Sequence, residues 1–216
     1  MRQMKASKKL NITVLLVVAL FLIVLGIIGV GVGAKYKKTV ELNTEVTFTA
    51  DLAKTITLTE HTVSKKSDGS YTLTDAIEAD GKNEYLVLPG VDIPKDPAIT
   101  ITEKSAIPAY LYVEIKESTG FPSTVTYKVT GDWTKLTGVT GKNGGVVYVY
   151  KEALTSTPES PIFVLDNNQL VVSEYYAGET FDLTFYGFMA QAVDAQAIDL
   201  NKAAEIYNEC FMKTTP

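Results

Sequence analysis

His61 is the only histidine in this chain of 216 residues, so it is the only imidazole that could serve as a catalytic general base. Ser-His-Asp and Cys-His arrangements would each have this single candidate, and no catalytic signature surrounds it in its threonine-rich strand. The chain has no HExxH motif and no second histidine, which leaves zinc hydrolysis without its usual ligand set. We therefore expect no catalytic residue and no enzymatic activity, and we interpret His61 as an exposed strand residue.

Acidic side chains gather in two places that could attract calcium. Neither group has the D-x-[DN]-x-[DN]-G spacing that converges enough oxygen atoms on one ion, so we expect solvated loop carboxylates and no metal site. Glycine-rich stretches at 29–33 and 142–145 lack the context or the spacing of a phosphate-binding loop, and no cofactor is expected. The acidic groups are Glu78/Asp80/Asn83/Glu84 and Asp92/Asp96.

The twelve tyrosines all follow residue 35, and several lie on predicted strands, facing away from an aliphatic face. They could form a surface that stacks on carbohydrate or contacts another subunit, and packing between two sheets explains them about equally well. Those on the strands are Tyr110, Tyr112, Tyr148 and Tyr150. The single cysteine, Cys210, cannot form an internal disulfide, and we expect a buried thiol.

The element that decides where these residues fold is the uncharged run at 10–34, which follows a leader containing Arg2, Lys5, Lys8 and Lys9. The small residues at its end favour the interpretation that residues 1–34 are a signal peptide, which is cleaved between Ala34 and Lys35. The run is also long enough to span a membrane, so an uncleaved anchor is the alternative. Either interpretation places residues 35–216 outside the cytoplasm. Before any processing, the signal or anchor segment is expected to lie in the cytoplasmic membrane.

Residues 35–216 predict one domain with a sizeable core. The four charged residues in 1–34 are all basic, so residues 35–216 carry 16 basic and 25 acidic residues. The acidic balance argues against a nucleic-acid partner, because phosphate binding requires a basic surface.

Short alternating runs separated by turn residues predict eight to ten strands, among them 85–88, 109–117 and 124–130. In 109–117, Leu111, Val113 and Ile115 lie on the face opposite Tyr110, Tyr112 and Glu114. Residues 75–82 could form one helical turn, and only 199–211 predicts a full helix, capped by Asp199 or Asn201. The predicted fold is therefore an all-β, antiparallel β-sandwich with a short C-terminal helix. The first strand, at 39–50, is long and amphipathic. It could pair within its own sheet, or with the open edge of a neighbouring subunit.

The order of several motifs resembles the TasA/camelysin family of secreted proteins from Gram-positive bacteria. The residues that carry the likeness are the apolar leader, 48–52, 55–59, the turn at 88–90, Lys95-Asp96 before 99–101, 109–113, 190–194 and the helix at 201–211. The resemblance implies a jelly-roll sandwich that a signal peptidase releases and that polymerises head to tail into extracellular biofilm-matrix fibres. It places Val40, Leu42, Val46 and Phe48 on the donor strand that enters the next subunit.

Two functions are thus expected from different classes. The first is a secreted structural subunit whose partner is another copy of itself, with further matrix proteins or polysaccharide as possible contacts. The alternative is a membrane-tethered surface module, or adhesin, that recognises a glycan or protein ligand through tyrosine-bearing faces.

Overall fold

The computed structural model describes residues 37–41, 56–78, 82–102, 108–154, 161–192 and 197–212. These residues form mostly antiparallel strands and one short C-terminal helix, which confirms the predicted all-β class. The strands are β1 (Lys37–Glu41), β2 (Ile56–Thr59), β3 (His61–Lys65), β4 (Tyr71–Ile77), β5 (Ile93–Pro94), β6 (Ala98–Ile101), β7 (Ala109–Glu117), β8 (Val125–Thr126), β9 (Trp133–Thr140), β10 (Val146–Tyr150), β11 (Ile162–Phe163), β12 (Gln169–Val172) and β13 (Leu183–Gln191). The helix α1 (Leu200–Tyr207) continues into a π-helical turn (Asn208–Met212).

The largest sheet has five strands in the order β1-β13-β7-β10-β9. Its centre is the pair β7 and β13, which runs antiparallel over nine residues, from Leu183 opposite Glu117 to Gln191 opposite Ala109. Two three-stranded sheets have the orders β11-β6-β2 and β5-β12-β8, and β3 and β4 form a separate hairpin. Prolines at 97, 108 and 161 immediately precede strands, where the missing amide hydrogen breaks no ladder.

Each face of the five-stranded sheet contributes to a different hydrophobic core. Leu111, Val113 and Ile115 of β7 pack with apolar side chains of the two three-stranded sheets, such as Ile99 and Leu170. The opposite face meets the C-terminal helix in a second core, formed by Tyr110, Tyr112, Leu136, Val147, Val149, Phe188, Ala203, Tyr207, Cys210 and Phe211 among others. Because both of its faces are covered, β7 is buried along its first seven residues.

The C-terminal helix follows the sequence prediction closely. Asp199 caps it by accepting hydrogen bonds from the amides of Asn201 at 2.9 Å and Lys202 at 3.1 Å, so the alternative cap at Asn201 is wrong. Ala203 and Tyr207 face the sheet, and Cys210 is buried without a disulfide, as expected. Phe211 completes the buried stripe.

Three predicted elements were wrong or too long. The helical turn proposed at 75–82 begins inside β4, which pairs with β3 as far as Ile77 opposite His61. No strand forms at 85–88, where the hydroxyl of Tyr85 is bonded to the carbonyl of Pro94 at 2.9 Å. The strand proposed at 124–130 shrinks to Val125–Thr126, since only these residues pair with β12.

Candidate functional site

The first described strand lies at an edge of the five-stranded sheet. β1 pairs antiparallel with β13, from Lys37 opposite Ala190 to Glu41 opposite Tyr186, and Val40 lies opposite Gly187. Of the four residues predicted to form the donor strand, Val40 is therefore the one whose pairing is described. Leu42, Val46 and Phe48 lie outside the described residues, as do Ala34, Lys35 and the whole segment 1–34.

The position beside β13 is well suited to hold an added strand. β13 is paired with β7 on its other side, so the edge that β1 occupies is the one at which β13 can receive a strand from outside the sheet. Phe185 and Met189 of β13 enter one core, whereas Phe188 and Ala190 enter the other. A strand at this edge therefore supplies backbone partners to Tyr186–Ala190 and lies beside both cores at once.

The second candidate site is an open cleft of about 400 Å³ beside the end of β7. Aromatic rings and a carboxylate line it together with two hydroxyl side chains, and the residues that bear these groups are Phe121, Tyr127, Tyr148, Glu117, Ser123 and Thr126. The Tyr127 hydroxyl donates a hydrogen bond to Glu117 Oε1 at 2.8 Å, which orients the carboxylate. Burial, and then the neighbouring Glu117, raise the pKa of both Tyr127 and Tyr148, so both phenols stay protonated donors at neutral pH.

The tyrosines predicted as one outward surface lie on different faces. Tyr110 and Tyr112 are fully buried beneath the helix, and the Tyr112 hydroxyl donates to the Ala203 carbonyl at 3.0 Å. A surface role for these two is therefore wrong, because the C-terminal helix occupies their face. Tyr148 and Tyr150 are partly buried and pack against the other core, Tyr150 edge-on to Trp133 at 5.4 Å between ring centroids.

His61 and Asp96 form a pair that the sequence did not indicate. His61 Nδ1 lies 2.6 Å from Asp96 Oδ2, and the His61 amide donates to Asp96 Oδ1 at 3.1 Å. Asp96 is only 3% exposed, so its interpretation as a solvated loop carboxylate was wrong. His61 is half-buried rather than fully exposed, because the adjacent carboxylate anchors its ring.

The residues immediately before His61 and Asp96, which are Glu60 and Lys95, form an ion pair that is buried on both sides. Lys95 Nζ lies 2.9 Å from Glu60 Oε2 and 3.0 Å from Glu60 Oε1. One feature of the sequence indicates the burial of Glu60. In the alternation 56–60 it falls on the same face as Ile56 and Leu58, which are buried. Asp92, by contrast, is exposed and accepts a hydrogen bond from the Val172 amide at 3.1 Å.

The described residues contain no group of three His, Cys, Asp or Glu side chains that could hold a metal ion. Within those same ranges, no helix is long and apolar enough to cross a membrane. Comparison of the chain with known proteins gave no matching family model, no matching curated protein and no matching solved structure.

Proposed function

We propose that the chain is a secreted, non-enzymatic structural subunit that assembles into extracellular matrix fibres through its N-terminal strand. In this proposal a signal peptidase removes residues 1–34, and the strand that begins near Lys37 then pairs with β13 of a neighbouring copy. The observation that carries the proposal is the pairing of β1 with β13 at a sheet edge. As an edge strand, β1 is held by hydrogen bonds to one neighbouring strand only. It can therefore leave its own β13 and pair with β13 of another copy.

The energetics favour a durable joint between subunits. The donor residues of the proposal are Val40, Leu42, Val46 and Phe48. At about 1.5–3 kcal/mol for each fully buried large apolar side chain, they contribute on the order of 6–12 kcal/mol before ordering costs. The backbone ladder adds roughly 0.5–1.5 kcal/mol for each hydrogen bond. Insertion of this kind is head to tail, so it generates a filament when no ring closes.

The core that the five-stranded sheet shares with the two three-stranded sheets is compatible with the jelly-roll-like sandwich that we propose for residues 35–216. Such a domain would leave the edge beside β13 as the acceptor. The proposed location is the extracellular matrix or the cell surface, and the proposed partners are further copies of the chain, with matrix proteins or polysaccharide in addition.

Truncation gives the first test. Protein that starts at Lys35 is expected to form filaments in electron microscopy and to sediment as polymer, whereas protein that starts at Lys54 is expected to stay monomeric. Filaments from the shorter protein would contradict the proposed role of the strand. The mass of the native N-terminus is measured in parallel, because an intact segment 1–34 would favour the membrane-tethered alternative.

A reversible lock gives a sharper test. The double variant Val40→Cys/Gly187→Cys, in a Cys210→Ser background, joins two directly opposed positions and would tie β1 to its own β13 when oxidised. Oxidised monomers are expected not to polymerise until a reductant is added. The matched control, Ser64→Cys/Thr72→Cys, ties opposed positions in the β3–β4 hairpin and should polymerise in both redox states.

The cleft beside β7 supports a second candidate function, the binding of a glycan by a surface module. Its aromatic rings offer stacking faces, and the Glu117 carboxylate can accept hydrogen bonds from sugar hydroxyl groups. Saturation-transfer NMR with cello-, malto- and chito-oligosaccharides tests this function. Tyr148→Ala and Glu117→Gln are expected to abolish the transfer, whereas Tyr175→Ala, at an exposed position that does not line the cleft, should not.

A further inference from the structure

Among the ion pairs of the residues that the structure describes, Lys95–Glu60 is the one in which both charged groups are buried. The Lys95 side chain is 10% exposed and that of Glu60 is 2% exposed. Lys128 and Asp166 form a pair with a similar separation, 2.8 Å, but their side chains are 80% and 37% exposed. Lys151 and Asp132 form another exposed pair, at 3.0 Å. The described residues therefore place a lysine amine against a carboxylate both at the surface and inside the protein.

The surroundings of the buried pair are mainly aromatic. Lys95 Nζ lies 6.0 Å from the centroid of the Tyr85 ring and 5.7 Å from that of Phe185. Among the described residues, the two Glu60 oxygens are the hydrogen-bond acceptors within reach of Nζ. The Tyr85 hydroxyl lies 3.2 Å from Glu60 Oε1 and 2.9 Å from the Pro94 carbonyl oxygen, so its one hydrogen can turn to Glu60 when negative charge develops on that oxygen.

Burial of the amine and the carboxylate favours their condensation to an amide over the ion pair. In water, an amine and a carboxylic acid resist condensation because both are stabilised as solvated ions. Burial removes most of that solvation, and it costs several kcal/mol for each ion. A nucleophile held against its electrophile also reacts as if at very high concentration, with effective molarities of roughly 10⁵–10⁸ M in well-oriented cases.

We propose that Lys95 and Glu60 are the site of an intramolecular isopeptide bond. A proton passes from the Lys95 ammonium to the Glu60 carboxylate, which leaves a neutral amine and a carboxylic acid. The carboxyl group turns about its Cγ–Cδ bond to present its face, and the Nζ lone pair attacks Cδ. The Nζ–Cδ bond forms, a proton moves from Nζ to the Cδ hydroxyl group, and the Cδ–O bond breaks with release of one water molecule. One positive and one negative charge disappear, so the net charge is unchanged and no oxidant is required.

The bond would join two segments that are 35 residues apart, the connection between β2 and β3 and the segment after β5. It would give covalent reinforcement to a chain whose single cysteine cannot form an internal disulfide. The inference is independent of the proposed polymerisation, since the bond lies within one subunit.

Peptide mass spectrometry of the purified, folded protein tests the proposal directly. Tryptic peptide 55–65 contains Glu60, and peptide 83–104 contains Lys95 when cleavage after that lysine is blocked. We expect these two peptides as one linked species, lighter than their sum by one water molecule, with fragment ions that place the link at the two named side chains. Detection of only the unlinked peptides, with normal cleavage after Lys95, would overturn the proposal, as would a link from Lys95 to another carboxylate.

Lys95→Arg keeps the positive charge but replaces the amine by a guanidinium group, so the linked species should be lost and mobility in a denaturing gel should fall. Persistence of the link in this variant would overturn the assignment. Lys128 and Asp166 serve as the internal control and should be recovered unlinked, because water solvates their ions. If Lys95→Arg does not fold, the peptide masses of the unmodified sequence decide the question alone.

Discussion

The carboxylate of Glu114 accepts a hydrogen bond from the amide of Gly145 at 2.7 Å, although Glu114 lies fully buried in the central strand β7. The same carboxylate accepts from the Asn143 amide at 2.9 Å and from its side chain at 3.1 Å. The Tyr207 hydroxyl lies 3.3 Å away on the helix. One side chain thus connects the central strand, the turn between β9 and β10, and the C-terminal helix.

Glu114→Gln should lower the free energy of unfolding by about 1–3 kcal/mol, because the new amide group cannot accept from all of these donors. Urea denaturation measures the change. Glu152→Gln, at an exposed position, should change stability by less than about 0.5 kcal/mol. Equal effects from the two substitutions would contradict the connecting role of Glu114.

Gly141→Ala should destabilise the fold by roughly 1–3 kcal/mol or more, because the added methyl group would overlap the Glu114 carboxylate. Gly131→Ala is the matched control, since a methyl group there meets no atom within 4 Å. Thermal unfolding of the two variants side by side separates a steric effect from a general cost of replacing glycine. A Gly141→Ala protein as stable as the control would show that the turn can move away from Glu114.

Phe211→Ala should lower the free energy of unfolding by about 3–5 kcal/mol, because its ring packs against Phe188 and Tyr207, with centroid separations of 5.0 and 5.1 Å. Met212→Ala changes the adjacent residue, which is 40% exposed, and should have a much smaller effect. Circular dichroism during chemical unfolding measures both. A small effect at Phe211 would mean that the helix contributes little to the second core.

Alkaline pH should destabilise the protein through its buried tyrosines. Burial raises the pKa of Tyr112 and of Tyr207 above the ordinary value of 10.0. Above about pH 10 the unfolded chain loses phenolic protons that the folded chain keeps, so the unfolded state binds fewer protons and the free energy of unfolding falls as pH rises. Each tyrosine contributes a slope of at most about 1.4 kcal/mol per pH unit, and none of this contribution is present well below pH 10.

Urea unfolding at pH values from about 9 to about 12 gives this slope. Tyr112→Phe should reduce it, whatever the variant does to stability at neutral pH. A slope that is unchanged in Tyr112→Phe would show that other groups cause the alkaline loss of stability.

The sequence predicted the strands best where alternation was strong, and it failed where a distant segment covers a face. In 109–117 the alternation identified Leu111, Val113 and Ile115 as one core face and gave the bounds of β7 correctly. It also suggested that Tyr112 and Glu114 face outward, because a local pattern contains no information about the helix that packs on them about ninety residues later.

The candidate sites show the same difference between features that a local pattern indicates and features that distant segments create. Sequence reasoning singled out the N-terminal strand and His61, but it did not predict Glu60, Lys95 or the burial of Asp96. Each of these residues has its partner 35 residues away, so only Glu60 carries a local signal, its place in the alternation 56–60. The cleft beside β7 also depends on three segments that meet only in the folded chain.

The pairing of β1 with β13 sets an order of events during folding. Its two strands are the first and the last that the structure describes, and Lys37 cannot meet Ala190 until nearly the whole chain has been synthesised. Closing so long a loop is slow compared with forming the β3–β4 hairpin, so β1 should be among the last strands to dock. Every newly made molecule therefore passes through a period in which β13 is available and β1 is unattached. The local concentration of other copies during that period, as much as the affinity of the finished joint, would decide which β13 the strand finds.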